Sequence, residues 1–213
     1  MKKMKNYWEV LPLFSSPLAY TMVEEDTDEL NDYEVVVTSN YDDVSYRSTN
    51  TNFNDRKRVL EKYPHIRDIL IRKFKQYSKN ILHINNDYRI TTSWITNVDK
   101  GGSAVLHNHK NSFYSGVYYF QDDYPENSAE IEFTSPIVQL SDFLIEPEEC
   151  DITNGNSYTL SPKSNLLLLF PSYLKHRVLI HTIDKQRRSL AFNIVPTGLY
   201  GKGDSTYDTN WFK

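Results

Sequence analysis

The sequence lacks the features that mark exported and membrane proteins. Its single cysteine, Cys150, cannot form an internal disulfide bond, which fits a reducing compartment. The apolar run at residues 166–170 is far shorter than the roughly 20 residues that a membrane-spanning helix needs. The first residues include lysines, but Glu9, Pro12 and Pro17 interrupt what would have to be the apolar core of an export signal. We therefore expect a soluble, cytoplasmic protein without a membrane partner.

The chain also has no net positive charge. The chain has 24 Lys and Arg against 28 Asp and Glu, a formal net charge of −4. This balance offers no electrostatic footprint for nucleic acid or for an anionic membrane. With 213 residues, of which 39% are hydrophobic, the chain is long enough for one substantial hydrophobic core. Two independent domains are not expected at this length. We predict a single domain over residues 1–213, with its motif-bearing core at 88–196.

The first half of the chain predicts an irregular segment followed by a helix. Residues 24–56 are acidic and polar, with only a short β-like run at 33–37. A helix is expected to begin near Pro64, because proline suits a first helical position and apolar residues recur afterwards at helical spacing. Those apolar residues are Ile66, Ile69, Leu70, Phe74, Tyr77 and Ile81. The lysines and arginines between them are interpreted as the solvated side of the helix rather than as a nucleic-acid patch.

From Tyr88 onward, short β-rich runs alternate with turn residues such as Gly101-Gly102. The predicted strands are 88–98, 103–109, 113–121, 129–134, 143–146, 157–160, 165–170, 175–181 and 187–195. So many strands behind one helical layer predict a mainly β protein, a double-stranded β-helix (jelly roll) packed on one or two helices.

Three histidines form a pattern that suggests a metal site. His107 and His109 stand one residue apart in a predicted strand, so their side chains are expected to project to the same face. His176 follows a buried run and a turn that would carry it to the mouth of a barrel. Two nitrogen ligands at short spacing, a distant third and open positions are typical of non-haem Fe(II) oxygenases. In isolation such a pair is more often a surface or packed pair, and the metal interpretation depends on this context.

Alternation along the last predicted strand separates two neighbouring arginines. Arg187 shares its face with three small side chains: Ser189, Ala191 and Asn193. Arg188 shares the other face with large apolar ones: Leu190 and Phe192. Because small neighbours leave room for a ligand, Arg187 is favoured over Arg188 as the residue that pairs with the carboxylate of an acid co-substrate.

Other polar and aromatic residues have weaker claims to a functional role. The remaining histidines, interpreted as packed or surface residues, are His65, His83 and His181. Solvent exposure best explains the acidic residues, one of which could still supply a carboxylate ligand: Asp122, Asp123, Glu130 and Glu132. Four aromatic residues either shape a substrate entrance or, with at least equal weight, belong to the core: Trp94, Tyr114, Tyr118 and Tyr173.

Six segments, taken together and in order, resemble one known family. They are Ser93-Trp94-Ile95-Thr96-Asn97, His107-Asn108-His109, Asn111-Ser112, Ser115-Gly116-Val117-Tyr118-Tyr119, the run 170–176 that ends in Lys175-His176, and the run 187–193. The chain resembles the 2-oxoglutarate- and Fe(II)-dependent oxygenases of marine bacteria and their phages, distant relatives of prolyl hydroxylases. Residues 13–18 resemble the N-terminal strand of that family. The order and number of matches make the resemblance far more specific than a lone His-x-His pair.

The resemblance implies a double-stranded β-helix that holds Fe(II) and 2-oxoglutarate at the barrel mouth. It implies a dioxygenase that consumes O2, converts 2-oxoglutarate to succinate and hydroxylates an unactivated C–H bond. His107 and His176 match the two histidine ligands, and Arg187 matches the residue that pairs with the distal carboxylate of 2-oxoglutarate. Tyr119 and Asn97 match positions that line the co-substrate pocket. We include Ser189 there because it lies beside Arg187.

The resemblance also bears on substrate and location. Similarity to prolyl hydroxylases makes a peptide or protein side chain the first substrate class to test, with a small molecule as the other class. If the chain is phage-encoded, its expected location is the host cytoplasm.

His109 departs from the pattern of broader relatives, which have Asp or Glu at that position. Three interpretations remain open: His109 is itself the third ligand, a water or remote carboxylate completes the metal, or the site is degenerate. A neutral ligand in place of a carboxylate would leave the metal one charge more positive. In halogenating relatives the position holds a small residue, so the bulk of His109 argues against halogenation.

Two rival functions remain. One is a non-enzymatic jelly-roll module, such as a virion or scaffold protein, whose histidines pack together or bind structural zinc. The other is a cupin-like metalloenzyme that does not use 2-oxoglutarate. An inward-facing Arg187 beside small residues favours a keto-acid site over both.

Overall fold

The computed structural model describes residues 15–34, 58–137, 148–151 and 154–209. It contains the helices α1 (Val59–Lys62) and α2 (Pro64–Tyr77), and a π-helical turn at Ser78–Leu82 continues α2. The strands are β1 (Ala19–Met22), β2 (Asp87–Val98), β3 (Ala104–His107), β4 (Tyr114–Tyr119), β5 (Ile131–Thr134), β6 (Ser157–Leu160), β7 (Leu166–Pro171), β8 (His176–Val178), β9 (Arg187–Thr197), β10 (Leu199–Tyr200) and β11 (Tyr207–Asp208). None of the helices in these residues has the length and apolar character that crossing a membrane requires.

Two antiparallel sheets carry the architecture. The five-stranded sheet has the order β1-β7-β4-β9-β2, and the four-stranded sheet has the order β3-β8-β5-β6. A small hairpin pairs β10 with β11. Consecutive strands in the chain often lie in different sheets, which is the connectivity of a jelly roll. The predicted fold class is therefore confirmed.

The five-stranded sheet separates two apolar clusters. On its outer face α2 buries one stripe of side chains, formed by Ile66, Leu70 and Phe74, against Ile95 and Phe192 of the sheet. Burying each of these large apolar side chains contributes roughly 1.5–3 kcal/mol. On the inner face, side chains of β4 and β7 meet those of the four-stranded sheet: Val117, Leu168, Phe170, Ile131 and Phe133. The candidate site opens beside this inner cluster.

The helix begins at Pro64 as predicted, but its apolar stripe ends earlier than predicted. Ile81 has 63% of its surface exposed. The cause is the π-helical turn at Ser78–Leu82, whose wider spacing rotates later side chains off the stripe. The charged side of α2 faces solvent, where Arg72 pairs with Glu25 at 2.5 Å.

Several strand boundaries differ from the prediction. The strand β3 ends at His107, so His109 lies beyond it in the loop that follows. The strand near the N-terminus is Ala19–Met22. The segment that was expected to form it, 13–18, precedes this strand, and only its residues 15–18 are described, outside any strand. The predicted strand 143–146 and most of the β-like run 33–37 fall outside the described residues.

Candidate metal and co-substrate site

Three histidine rings meet where the four-stranded sheet faces the cavity. His107 and His176 are direct cross-strand partners between β3 and β8, with ring centroids 4.5 Å apart. His109 reaches them from the loop, because its backbone N–H donates to the carbonyl of Ser172 at 2.9 Å. Its ring lies 5.0 Å from that of His107 and 5.1 Å from that of His176. One ring nitrogen from each histidine lies within 4.8 Å of the others.

Backbone carbonyls fix the orientation of two of these rings. Nδ1 of His107 lies 2.8 Å from the carbonyl oxygen of Val105, and Nδ1 of His176 lies 3.0 Å from that of Leu174. A carbonyl oxygen only accepts, so both Nδ1 atoms donate and each Nε2 keeps its lone pair. Metal-binding histidines are held in the same way, with the second ring nitrogen donating to a carbonyl or carboxylate.

Burial keeps these imidazoles neutral. Burial lowers the pKa of His176 to about 3, and the neighbouring His107 adds to this effect. Burial also lowers the pKa of His107, against a smaller opposing contribution from the hydrogen bond to Val105. Because a metal binds the unprotonated ring, neither histidine has to lose a proton at neutral pH before it binds one. Three imidazole nitrogens on one side of an open cavity fit a first-row transition metal such as Fe(II).

The acidic residues that might have supplied a carboxylate ligand lie elsewhere. Glu132 forms an ion pair with Arg177, and Glu130 accepts a hydrogen bond from Ser161 at 2.7 Å. Asp123 pairs with Lys185 at 2.9 Å. In the part of the chain that the structure describes, the group that could hold a metal consists of the three histidines.

A cavity of about 360 Å³ lies between the histidines and the inner face of the five-stranded sheet. The strands β2 and β9 form its floor in matched pairs, with Thr96 opposite Ser189 and Thr92 opposite Asn193. The face that alternation assigned to Arg187 is therefore the face that lines the cavity.

Arg187 lies at one end of this floor with 2% of its surface exposed. Its guanidinium donates from Nε to the carbonyl of Ala129 at 2.8 Å. The terminal nitrogens donate to Tyr119 Oη at 3.0 Å and to Ser189 Oγ at 3.4 Å. All three acceptors are neutral, and none of the carboxylates in the described ranges pairs with Arg187. A buried cation without a counter-charge is costly, so this end of the cavity favours an anion.

Tyr119 contacts Arg187 and is not among the residues that line the cavity, so its expected role at the co-substrate pocket stays a prediction. Its ring lies 5.1 Å from the guanidinium carbon. Burial raises the pKa of its phenol, which outweighs the lowering effect of Arg187. The phenol therefore stays neutral, and its oxygen accepts the hydrogen bond from Arg187.

The structure places Asn97 away from the cavity that it was expected to line. Asn97 lies on the opposite face of β2 from Thr96, and its Oδ1 accepts a hydrogen bond from Arg188 Nε at 3.2 Å. Arg188 also donates to the carbonyls of Asn31 at 2.8 Å and Tyr33 at 2.6 Å. The two residues thus anchor an N-terminal segment to the outer face of the sheet.

Of the other residues considered in the sequence, one lines the cavity and the rest lie in the core or on the surface. Trp94 lines the cavity, with its ring 5.6 Å from that of His109. Tyr114 and Tyr118 belong to the cluster under α2, and Tyr173 is exposed. His65 pairs with Glu29 on the surface, and His83 ends the π-helical turn. His181 is buried, with both ring nitrogens hydrogen-bonded to backbone groups.

Some cavity residues went unnoticed in the sequence. Thr92 and Thr96 share the parity of Trp94 along β2, and this alternation was the signal that would have found them. Lys110 directly follows His109 and lines the mouth of the cavity.

Residues 92–193 match the sequence model of a family described as "Putative 2OG-Fe(II) oxygenase". This segment is similar to 2OG-Fe(II) oxygenases. It contains the three histidines and Arg187. No curated protein matches the chain.

Solved structures resemble the fold. HygX from Streptomyces hygroscopicus, solved with nickel, 2-oxoglutarate and hygromycin B bound, has a TM-score of 0.53 at 12% identity over 85% of this chain and 84% of HygX. An oxidoreductase of the 2OG-Fe(II) oxygenase family from Burkholderia pseudomallei gives 0.46 at 12% identity, over 70% of this chain and 62% of the other. A prolyl-4-hydroxylase from Pseudomonas putida gives 0.43 at 15% identity, over 62% and 66%. The chain thus spans less than two thirds of the last two proteins. The likeness to HygX supports the jelly-roll fold.

Proposed function

We propose that this chain is an Fe(II)- and 2-oxoglutarate-dependent oxygenase. The observation that carries the proposal is the position of Arg187, a buried guanidinium with neutral partners, at the end of a cavity whose opposite wall holds three clustered histidines. A structural module gives no reason to bury a cation in this way. The match of residues 92–193 to the oxygenase family supports the same assignment.

In this proposal His107, His109 and His176 hold the iron. The Nδ1 hydrogen bonds of His107 and His176 orient their rings so that each Nε2 can bind the metal. We take His109 as the third ligand, since the group that could hold a metal in the described residues consists of the three histidines. Arg187 receives the distal carboxylate of 2-oxoglutarate, because a guanidinium pairs with a carboxylate through two parallel hydrogen bonds. Ser189 and Tyr119 hold Arg187 in place.

Fe(II), when bound, supplies the redox chemistry that uses O2, converts 2-oxoglutarate to succinate and oxidises a C–H bond of the substrate. The residues of the chain contribute by positioning the co-substrate and by excluding water. Its inner sheet face positions the co-substrate beside the histidines, and the apolar cluster next to the cavity limits the access of water. Hydroxylation as the outcome, a peptide or protein substrate, a cytoplasmic location, a single domain and a marine bacterial or phage origin remain predictions.

An anaerobic titration tests the proposal. Fe(II) and 2-oxoglutarate together give a visible metal-to-ligand charge-transfer band, which we expect in the wild type. Arg187→Ala should weaken 2-oxoglutarate binding roughly 10- to 100-fold, the range expected for a lost charged hydrogen bond. Its Fe(II) affinity without co-substrate should not change. Arg188→Ala is the matched control, since it removes the neighbouring guanidinium from the other face of the sheet.

Each contrary result points to a different rival. Metal binding without a charge-transfer band would favour a cupin-like metalloenzyme that does not use 2-oxoglutarate. Absence of metal binding would favour a structural jelly roll. Equal 2-oxoglutarate affinity in wild type and Arg187→Ala would contradict the role given to Arg187.

A further inference from the structure

The cavity floor has two ends, and Arg187 occupies one of them. Along the pairing of β2 with β9, Val98 lies opposite Arg187, and Thr92 lies opposite Asn193. Arg187 and Asn193 both line the cavity and are separated along β9 by six residue steps, or roughly 20 Å at the usual rise of a strand. The floor is therefore long enough for two ligands placed end to end.

The histidine cluster faces the middle of this floor. Trp94 lies opposite Ala191, between the two ends, and its ring is 5.6 Å from that of His109. The carbon chain of 2-oxoglutarate has four C–C bonds of about 1.5 Å each, so it extends over less than about 6 Å. If the co-substrate lies between Arg187 and the histidines, as the proposed function requires, the end at Asn193 stays open for the primary substrate.

Hydrogen bonds fix the orientation of the Asn193 side chain at this open end. Its Oδ1 accepts from Ser115 Oγ at 2.8 Å, and its Nδ2 donates to Thr92 Oγ1 at 2.9 Å. Ser115 in turn lies 2.9 Å from Ser172 Oγ, which is buried. These contacts fix the amide, and its second N–H is not engaged by the residues that the structure describes. A fixed donor in a cavity wall selects a ligand that carries an acceptor oxygen.

The charges of the lining favour an anion. Two of its residues are cations, Arg187 and Lys110, and none of the described lining residues is acidic. Lys110 is exposed at the mouth and forms no ion pair with the described carboxylates. With neutral histidine ligands, a divalent metal and a dianionic co-substrate cancel, so the occupied cavity keeps a net positive charge; Arg187 is paired with the co-substrate carboxylate, and Lys110 is the cation that remains for a second ligand.

We propose that the end of the cavity at Asn193 and Lys110 binds the primary substrate through a carboxylate group. The free N–H of Asn193 donates to this group, and Lys110 supplies the opposite charge at the mouth. A cationic group at the same place would meet the positive charge of Lys110. The inference rests on the proposed function, because that function places 2-oxoglutarate at the other end.

Binding of matched probes to the anaerobic Fe(II)·2-oxoglutarate protein tests this proposal. The probes are three short peptides that differ only in a central Glu, Gln or Lys, and free N-acetylglutamate, which separates a peptide acid from a small acid. Calorimetry gives their affinities, while the charge-transfer band reports that 2-oxoglutarate stays in place. We expect the Glu peptide or N-acetylglutamate to bind at least tenfold more tightly than the Gln peptide, and the Lys peptide to bind most weakly.

Variants of the exposed Lys110 connect this preference to the site. Lys110→Gln should reduce the preference for the acidic probe to less than threefold, and Lys110→Glu should reverse it in favour of the Lys peptide. Lys163→Gln, which changes an exposed lysine outside the cavity lining, should keep the wild-type preference.

Three results would overturn the inference: equal binding of acidic and neutral probes, including no binding of either; an unchanged preference in Lys110→Gln; or loss of the charge-transfer band when the acidic probe is added, which would place that probe at Arg187. Failure of 2-oxoglutarate itself to bind would instead overturn the proposed function. The same samples therefore distinguish the two failures.

Discussion

His181 and Arg187 bind the two sides of one residue, Ala129. The backbone N–H of Ala129 donates to Nδ1 of His181 at 3.1 Å, and its carbonyl accepts from Nε of Arg187 at 2.8 Å. The other ring nitrogen of His181 donates to the carbonyl of Lys185 at 2.7 Å. His181 has 1% of its surface exposed and both ring nitrogens hydrogen-bonded, so its ring is a fixed support for the backbone that holds Arg187.

Substitutions at His181 should therefore alter 2-oxoglutarate binding without a direct contact. Asn retains an acceptor near the position of Nδ1, whereas Gln retains a donor nearer to Nε2. We expect His181→Asn to keep co-substrate affinity within about threefold and His181→Gln to weaken it about tenfold, consistent with the net value of one hydrogen bond. Fe(II) affinity should be equal in both variants. Equal weakening by Asn and Gln would show that the bond to Ala129 does not position Arg187.

The depressed pKa of His176 makes the metal-free protein sensitive to acid. The folded pKa is about 3, against an ordinary value of 6.5, so below pH 6.5 the unfolded chain takes up a proton that the folded chain does not. The stability contributed by neutral His176 is complete above pH 6.5 and falls by about 1.4 kcal/mol per pH unit as the pH drops towards 3. Urea unfolding in EDTA measures this loss.

His176→Gln is the comparison for this pH dependence, because glutamine does not titrate. Between pH 6.5 and 5.0, the free energy of unfolding of the wild type should fall by about 1.6 kcal/mol more than that of the variant. Parallel pH profiles for the two proteins would mean that His176 titrates normally in the fold.

Replacement of His109 by Asp tests whether the imidazole is a ligand. A carboxylate would restore the common facial set of two histidines and one acid, and it would lower the positive charge around the metal by one unit. We expect Fe(II) binding to be retained, with turnover of 2-oxoglutarate at wild-type level or higher. Loss of turnover in a variant with an unchanged circular dichroism spectrum would show that imidazole itself is required at this position.

Gly116 allows the sheet to pack against Phe192. A Cβ atom on Gly116 would lie 2.3 Å from Cζ of Phe192, whose ring is fully buried under α2. Gly116→Ala should therefore destabilise the protein by about 1–3 kcal/mol through overpacking, measured by urea unfolding. The double variant Gly116→Ala/Phe192→Leu should be more stable than the sum of the two single changes predicts. If the changes in unfolding free energy of the two single variants simply add, the contact with Phe192 is not the cause of the destabilisation by Gly116→Ala.

Local alternation in the sequence predicted the strand β9 well. Arg187, Ser189 and Asn193 all line the cavity, as their shared parity indicated. The same rule would have placed Asn97 on the face of the buried Ile95, away from the cavity, whereas its expected role came from the resemblance alone. Alternation is reliable here because the face of a strand is a property of neighbouring residues.

Features that depend on contacts with distant backbone groups could not be predicted from the sequence. The strand that was expected to orient His109 ends at His107. His109 reaches the other two histidines instead through a hydrogen bond from its backbone N–H to the carbonyl of Ser172. The support of Arg187 by Ala129 and His181 joins three separate segments through backbone atoms, which carry no sequence signal. The π-helical turn that exposes Ile81 likewise leaves the apolar spacing unchanged.

The position of β9 has a consequence for how the protein is made. This strand comes late in the chain, yet it lies between β4 and β2 in the five-stranded sheet and pairs with both. On the ribosome, β2 and β4 emerge well before the strand that must join them, so a nascent chain exposes two unpaired inner edges until residue 197 is free to fold. Long-range pairing of this kind is slow and leaves edges open to aggregation. Because β9 also carries Arg187 and Asn193, the chain acquires its ligand cavity and loses its exposed edges in the same event.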